Sequence, residues 1–158
     1  MQYAELHCLS NFTFLRGASH PHELVYTAVK LGYQALAITD ECSLAGVVKA
    51  HVAAKDCGLP LIIGSELRID NHKLIALVTN RQSYAELSNL ITLARRRSEK
   101  GKYHLKWSDL SNNLNHSLVI WLPSDNLNND NHIGAQLSQW FKGRLWLGIQ
   151  HLLKGNEA

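Results

Sequence analysis

Short apolar runs alternate with amphipathic stretches along this chain, so the hydrophobic period switches repeatedly between about two and about 3.6 residues. Tyr3 to His7 predicts a first strand, followed by a loop from Cys8 to Ser19. Pro21 suits a first helical turn, where its missing N–H needs no partner. Leu24, Val25, Ala28 and Leu31 then recur at helical spacing, with Gly32 as a stop. Ala35 to Thr39 predicts a buried strand ending at Asp40-Glu41, and a second helix runs from about Leu44 to Cys57 and stops at Gly58. Leu61 to Leu67 and Lys73 to Thr79 predict the third and fourth strands. Asn80 is placed to cap the longest helix, about Arg81 to Arg97, whose apolar stripe is Tyr84, Leu87, Leu90, Ile91 and Ala94. A strand over Ser117–Leu122, a helix over His132–Phe141 and a strand over Leu145–Ile149 complete the series. The Asn-rich stretches Ser111–His116 and Asn126–His132 are expected to be solvated loops.

Alternating strands and helices imply right-handed crossovers and a mostly parallel α/β sheet. Six or so strands make an open sheet or most of a barrel. The last five residues, Lys154 to Ala158, follow a strand with no covering helix, which leaves an edge open to pairing. The expectation is therefore a single, incomplete domain over residues 1–158, cut from a longer polypeptide before its barrel closes.

Composition narrows the function classes. The chain has 158 residues, 46% of them hydrophobic, and a net charge of +3, which permits an ordinary core and does not demand a nucleic-acid partner. No stretch approaches the roughly 18–20 apolar residues of a membrane span, and the N-terminus lacks a signal-peptide pattern, so a cytoplasmic protein is expected. Cys8, Cys42 and Cys57 form no CxxC pair and are expected to be reduced thiols. No Walker loop or G-x-G-x-x-G follows a strand, which excludes nucleotide binding of those types. No nucleophile elbow surrounds Ser10, Ser19 or Ser43, which speaks against a serine hydrolase.

Ligands of parallel α/β folds sit at the carboxyl ends of strands. His7, Asp40, Glu41 and Glu66 all fall there and could gather a divalent cation such as zinc or manganese, which would activate water against a phosphate ester. The plainer reading is that they are strand-end polar groups that cap helices or pair with one another. His20 and His22 flank Pro21 at a helix start, where capping or exposure suits them. His51 lies mid-helix; His72, His104, His116, His132 and His151 lie in or near loops and strand ends, at no ligand spacing. Arg95, Arg96 and Arg97 open a basic cluster with Lys100, Lys102 and Lys106. It could contact nucleic-acid phosphates, or simply complement the negative end of a helix.

The run E-L-H-C-L-S-N-F-T-F-L-R-G-A-S-H-P (Glu5–Pro21) resembles the first motif of the PHP (polymerase and histidinol phosphatase) domain. So do A-L-A-I-T-D-E-C-S-L-A-G-V-V-K-A-H (Ala35–His51) and P-L-I-I-G-S-E-L (Pro60–Leu67), in the same order and spacing. Lys73–Ile91 resembles the strand and helix that follow in bacterial DNA polymerases of the polymerase III α-subunit type, and the wording is nearest to their error-prone members. The match spans residues 3–110 closely and 111–158 loosely. It implies a partial, distorted seven-stranded (β/α) barrel. It also implies a parent enzyme that inserts deoxynucleotides opposite damaged template, with its polymerase core C-terminal to this region and no catalytic aspartate here. The implied partners are that core, DNA through the parent protein, and replication or mutagenesis proteins, with no membrane.

The family's metal site carries over only in part. His7 matches the first histidine of H-x-H, and Leu9 stands at the second. Arg16 stands where an acidic residue precedes the motif's glycine. T-D-H becomes Thr39-Asp40-Glu41, Glu66 matches the glutamate of G-x-E, and Lys73 stands where a histidine opens the fourth strand, with His72 one residue earlier. Leucine offers no lone pair and arginine puts a positive charge where cations would sit. The resemblance thus implies at most a vestigial site for zinc or manganese, no cofactor for this chain, and a structural or regulatory segment.

Overall fold

A computed structural model describes residues 3–123 and 127–149. The strands are β1 (Ala4–Cys8), β2 (Ala35–Ile38), β3 (Leu61–Ile69), β4 (His72–Leu77), β5 (Leu118–Leu122) and β6 (Leu145–Leu147). The helices are α1 (Pro21–Lys30), α2 (Val47–Cys57), α3 (Arg81–Arg96), α4 (Trp107–Asn113) and α5 (Leu127–Trp140). The strands form one curled six-stranded sheet in the order β1-β2-β3-β4-β5-β6, the α/β sheet anticipated from the chain's alternation and the partial barrel that the resemblance implied.

Three neighbouring pairs are parallel: β1–β2, β2–β3 and β5–β6. The regular crossover pattern breaks in the middle, where β4 runs antiparallel to both neighbours. Only Asp70 and Asn71 separate the paired residues Ile69 and His72, too few for a crossover, so the chain turns back as a hairpin with Asp70 at φ 51°.

Side-chain alternation divides the sheet into two faces. The convex face carries all five helices. Leu36 and Ile38 pack there beneath α1 and α2 with Val25, Ala28, Ala50, Ala53 and Ala54. Leu67, Ile69, Leu74, Ala76, Val119 and Trp121 pack beneath α3 to α5 with Leu87, Leu90, Leu110, Leu137 and Phe141. The concave face gathers Ala37, Ile75, Leu77 and Leu122, flanked by Ile62, Leu118 and Ile120.

Three local expectations are corrected. α2 begins at Val47 rather than Leu44. α4 occupies part of the expected loop Ser111–His116, because Asp109 accepts the Lys106 N–H at 2.8 Å and nucleates a turn that apolar periodicity did not announce. α5 begins at Leu127, inside the other expected loop, whose first residue lies outside the described residues, as do His151 and Lys154–Ala158.

Candidate functional site

The site forms on the concave face, where β1, β2 and β3 deliver their carboxyl-end residues. His7 reaches it through an irregularity in β1. Glu5 pairs with Leu36 and Cys8 with Ile38, so β1 holds one extra residue between those rungs. Simple alternation would put His7 on the same face as Glu5; the bulge turns it inward, and the Glu5 carboxylate accepts the freed His7 N–H at 2.9 Å. The His7 ring then donates Nε2–H to Glu66 Oε2 at 2.8 Å.

Glu66 is wholly buried and Glu41 lies beside it through a parallel bridge. Arg16 comes from the loop after β1 and spans both carboxylates. Its guanidinium donates to Glu66 Oε1 at 2.5 Å and Oε2 at 3.1 Å, and also to Glu41 Oε2. The Tyr103 hydroxyl donates to Glu41 Oε1 at 2.8 Å and accepts the Arg68 backbone N–H. Burial pushes the Glu66 carboxyl up, but hydrogen bonds and charge from His7 and Arg16 outweigh it and hold the group at about 2. The same carboxylates raise the Arg16 guanidinium further, while burial and the bond to Glu41 raise the Tyr103 hydroxyl.

Asp40 does not join this cluster. The strand's alternation separates it from Glu41, and its carboxylate faces the loop after β1. There it accepts Ser10 N–H at 2.8 Å, Ser10 Oγ–H at 2.7 Å and Thr13 Oγ1–H at 2.7 Å. It is 1% exposed, and Gly46 packs so near that an added Cβ would meet Asp40 Oδ2 at 2.8 Å. His72 is likewise elsewhere. It pairs with Ile69, so it shares the convex face with Leu67 and Leu74 and is 2% exposed beside Trp107, Trp121 and Asp130, not solvated as a loop residue would be. Lys73 takes the concave face instead.

These residues do not fit a divalent cation. The space between the Glu41 and Glu66 carboxylates holds a guanidinium, Asp40 accepts three hydrogen bonds from Ser10 and Thr13, and among the described residues no group of three His, Cys, Asp or Glu side chains is arranged to hold a metal ion. The basic triplet also disperses. Arg95 turns inward, donating to the carbonyls of Glu41 and Cys42 and lying over the Tyr103 ring. Arg97 forks onto the nearly buried Asp109, and Arg96 is left exposed. Sequence reasoning missed Tyr103, which lies 62 residues from Glu41 with no motif around it, and Asp109, whose only signal was its place three residues after Lys106.

The family model described as the PHP domain matches residues 5–133. The chain belongs to the PHP-domain family. It is 54% identical to the error-prone DNA polymerase of Teredinibacter turnerae, over 99% of this chain and 15% of that protein. It is also 54% identical to the error-prone DNA polymerase of Saccharophagus degradans, over 97% of this chain and 15% of that protein. The chain therefore spans about 15% of the length of these relatives. A Bifidobacterium adolescentis protein that bears the name of a metal-dependent phosphoesterase shares the fold, with a TM-score of 0.64 and 18% identity over 87% of this chain and 74% of that one. Within this PHP domain, however, two of the four expected ligands, Glu41 and Glu66, are bound to an arginine and a third, Asp40, is turned away.

Proposed function

We propose that this chain is the PHP segment of an error-prone DNA polymerase and serves as a scaffold in which Arg16 replaces a catalytic cation. It hydrolyses no phosphoester and incorporates no nucleotide by itself. It supports the polymerase core of its parent, or presents a surface to replication or mutagenesis proteins, during cytoplasmic synthesis across damaged DNA. It meets DNA only within that parent. Of the basic triplet, Arg96 is the member left to touch a phosphate there.

The observation that carries this reading is the Arg16 guanidinium between Glu41 and Glu66. A divalent cation would have to displace several charge-assisted hydrogen bonds from a fully buried carboxylate, each stronger than a neutral one. It would then find no second histidine on that face beside His7, because Leu9 stands in one position and Lys73 in the other. The test is to equilibrate the chain with zinc and with manganese, dialyse it, and measure bound metal and hydrolysis of p-nitrophenyl phosphate. We expect substoichiometric metal and no turnover. One or more metal ions per chain, lost together with phosphate release in His7→Ala, would replace this reading with a metal-dependent phosphoesterase.

A further inference from the structure

We propose that residues 98–104 form a strap that opens without unfolding the sheet, with Tyr103 as its latch and Gly101 as its hinge, and that its opening uncovers the Glu41 end of the carboxylate pair. This device does not depend on how that pair is used. It grows out of an interrupted rung. The Cys42 N–H donates to the Glu66 carbonyl at 2.8 Å, as in a parallel ladder, and the next rung would run from the Arg68 N–H to the Cys42 carbonyl. Cys42 holds φ 45°, the chain turns away from the sheet there, and the two halves of that rung are taken from outside. The Tyr103 hydroxyl accepts the Arg68 N–H at 3.2 Å, and Arg95 Nη2 donates to the Cys42 carbonyl at 3.1 Å. The Arg95 guanidinium also lies 5.3 Å from the centre of the Tyr103 ring, so α3 provides the seat on which the latch rests.

The segment runs between two firm anchors. Arg97 forks onto Asp109 at one end, and Leu105 is buried in the core at the other. Between them residues 99–102 are exposed, and the Lys102–Glu99 ion pair joins two residues of the segment itself, both largely in solvent. The His104 N–H donates to the Ala94 carbonyl at 3.1 Å, and Gly101 turns the chain at φ 89°. A stretch with so few buried contacts opens at a smaller cost than the sheet it covers. A hollow of about 420 Å³ already borders Tyr103, Glu41 and Arg68. Once the ring leaves, water from that hollow reaches Glu41 Oε1, the oxygen that the hydroxyl holds at 2.8 Å, while Arg16 stays on Oε2.

The test is hydrogen exchange of the full 158-residue chain in rising, sub-denaturing urea, read amide by amide by NMR. Arg68 and His104 report on the strap, and the amides that pair β3 with β4 report on the sheet. We expect both strap amides to exchange with a shallow urea dependence, while the paired amides follow the steep dependence of global unfolding. Gly101→Ala adds no contact, since a Cβ there meets nothing within 4 Å, yet it puts an L side chain at positive φ. It should quicken the Arg68 amide about tenfold. Tyr103→Phe removes the latch hydroxyl and leaves the bond of the His104 N–H in place, and it should quicken the His104 amide by about the same factor. The amide spectrum itself reports that each variant is folded. Strap amides that share the steep slope of the sheet, or a rate that either variant leaves unchanged, overturn the strap.

Discussion

Leu15 holds a conformation that leucine seldom adopts, φ 64°, and is 89% exposed. The residue after it is Arg16, so the unfavourable backbone lies where the chain must redirect a guanidinium onto Glu66. The turn is tied down by Arg16 N–H and Gly17 N–H donating to the Thr13 carbonyl, and Gly17 sits so close to Ser10 that an added Cβ would lie 1.9 Å from its carbonyl oxygen. Removing the guanidinium leaves Glu66 buried with only part of its compensation. Arg16→Ala should destabilise the fold by roughly 2–3 kcal/mol, measured by urea unfolding at neutral pH. The acid side follows from the same pairing. Glu66 titrates at about 2 when folded against an ordinary 4.5, so its contribution is complete above about 4.5 and is lost as pH falls towards 2. That contribution is on the order of 3 kcal/mol. Unfolding free energies between pH 6 and 3 should therefore fall more steeply for the native chain than for Glu66→Gln; parallel curves would contradict the pairing.

Among the elements, those with their own start and stop signals were legible in the chain before any coordinates. α3 is the best case. Asn80 Oδ1 accepts the Ser83 N–H at 2.9 Å, and Ser83 Oγ accepts the Asn80 N–H at 2.9 Å, a reciprocal cap within four residues. Asn80→Ala should cost about 1 kcal/mol, read as a lower melting temperature with an unchanged far-ultraviolet spectrum at 20 °C. α1 and α2 were legible for similar reasons, ending near Gly32 at φ 73° and at Gly58 at φ 71°. The site was legible only in part. His7, Glu41 and Glu66 come together because all three lie at strand ends, and Arg16 stands among them where its charge was out of place in the motif. Asp40 stands apart from them because a strand end does not reveal which face the next residue takes. α4 escaped because it is short and its first turn is closed by Asp109 rather than by a familiar cap. The extra residue in β1 escaped because pairing register is a relation between strands and leaves no mark on either one alone.

At the scale of the whole molecule, helices cover one face of a curled sheet, and among the described residues the two outermost strands each have a single neighbour. β6 is the more apolar of those edges, with Trp146 50% exposed and Leu147 61% exposed. Such an edge invites pairing with another chain. Light scattering over rising concentration should show self-association of the chain, reduced in Leu147→Lys with little change in melting temperature.

The hairpin also sets what further change this face can undergo. Because Ile69 pairs with His72 and only two residues join them, β4 cannot slide by one position without turning Leu74 and Ala76 out of the core. An imidazole therefore cannot migrate from position 72 to the hollow of the sheet; it would have to arise anew at position 73, in exchange for the lysine there. A histidine on the concave face of β4 thus requires a replacement at position 73 itself, on the rung where Lys73 faces Arg68.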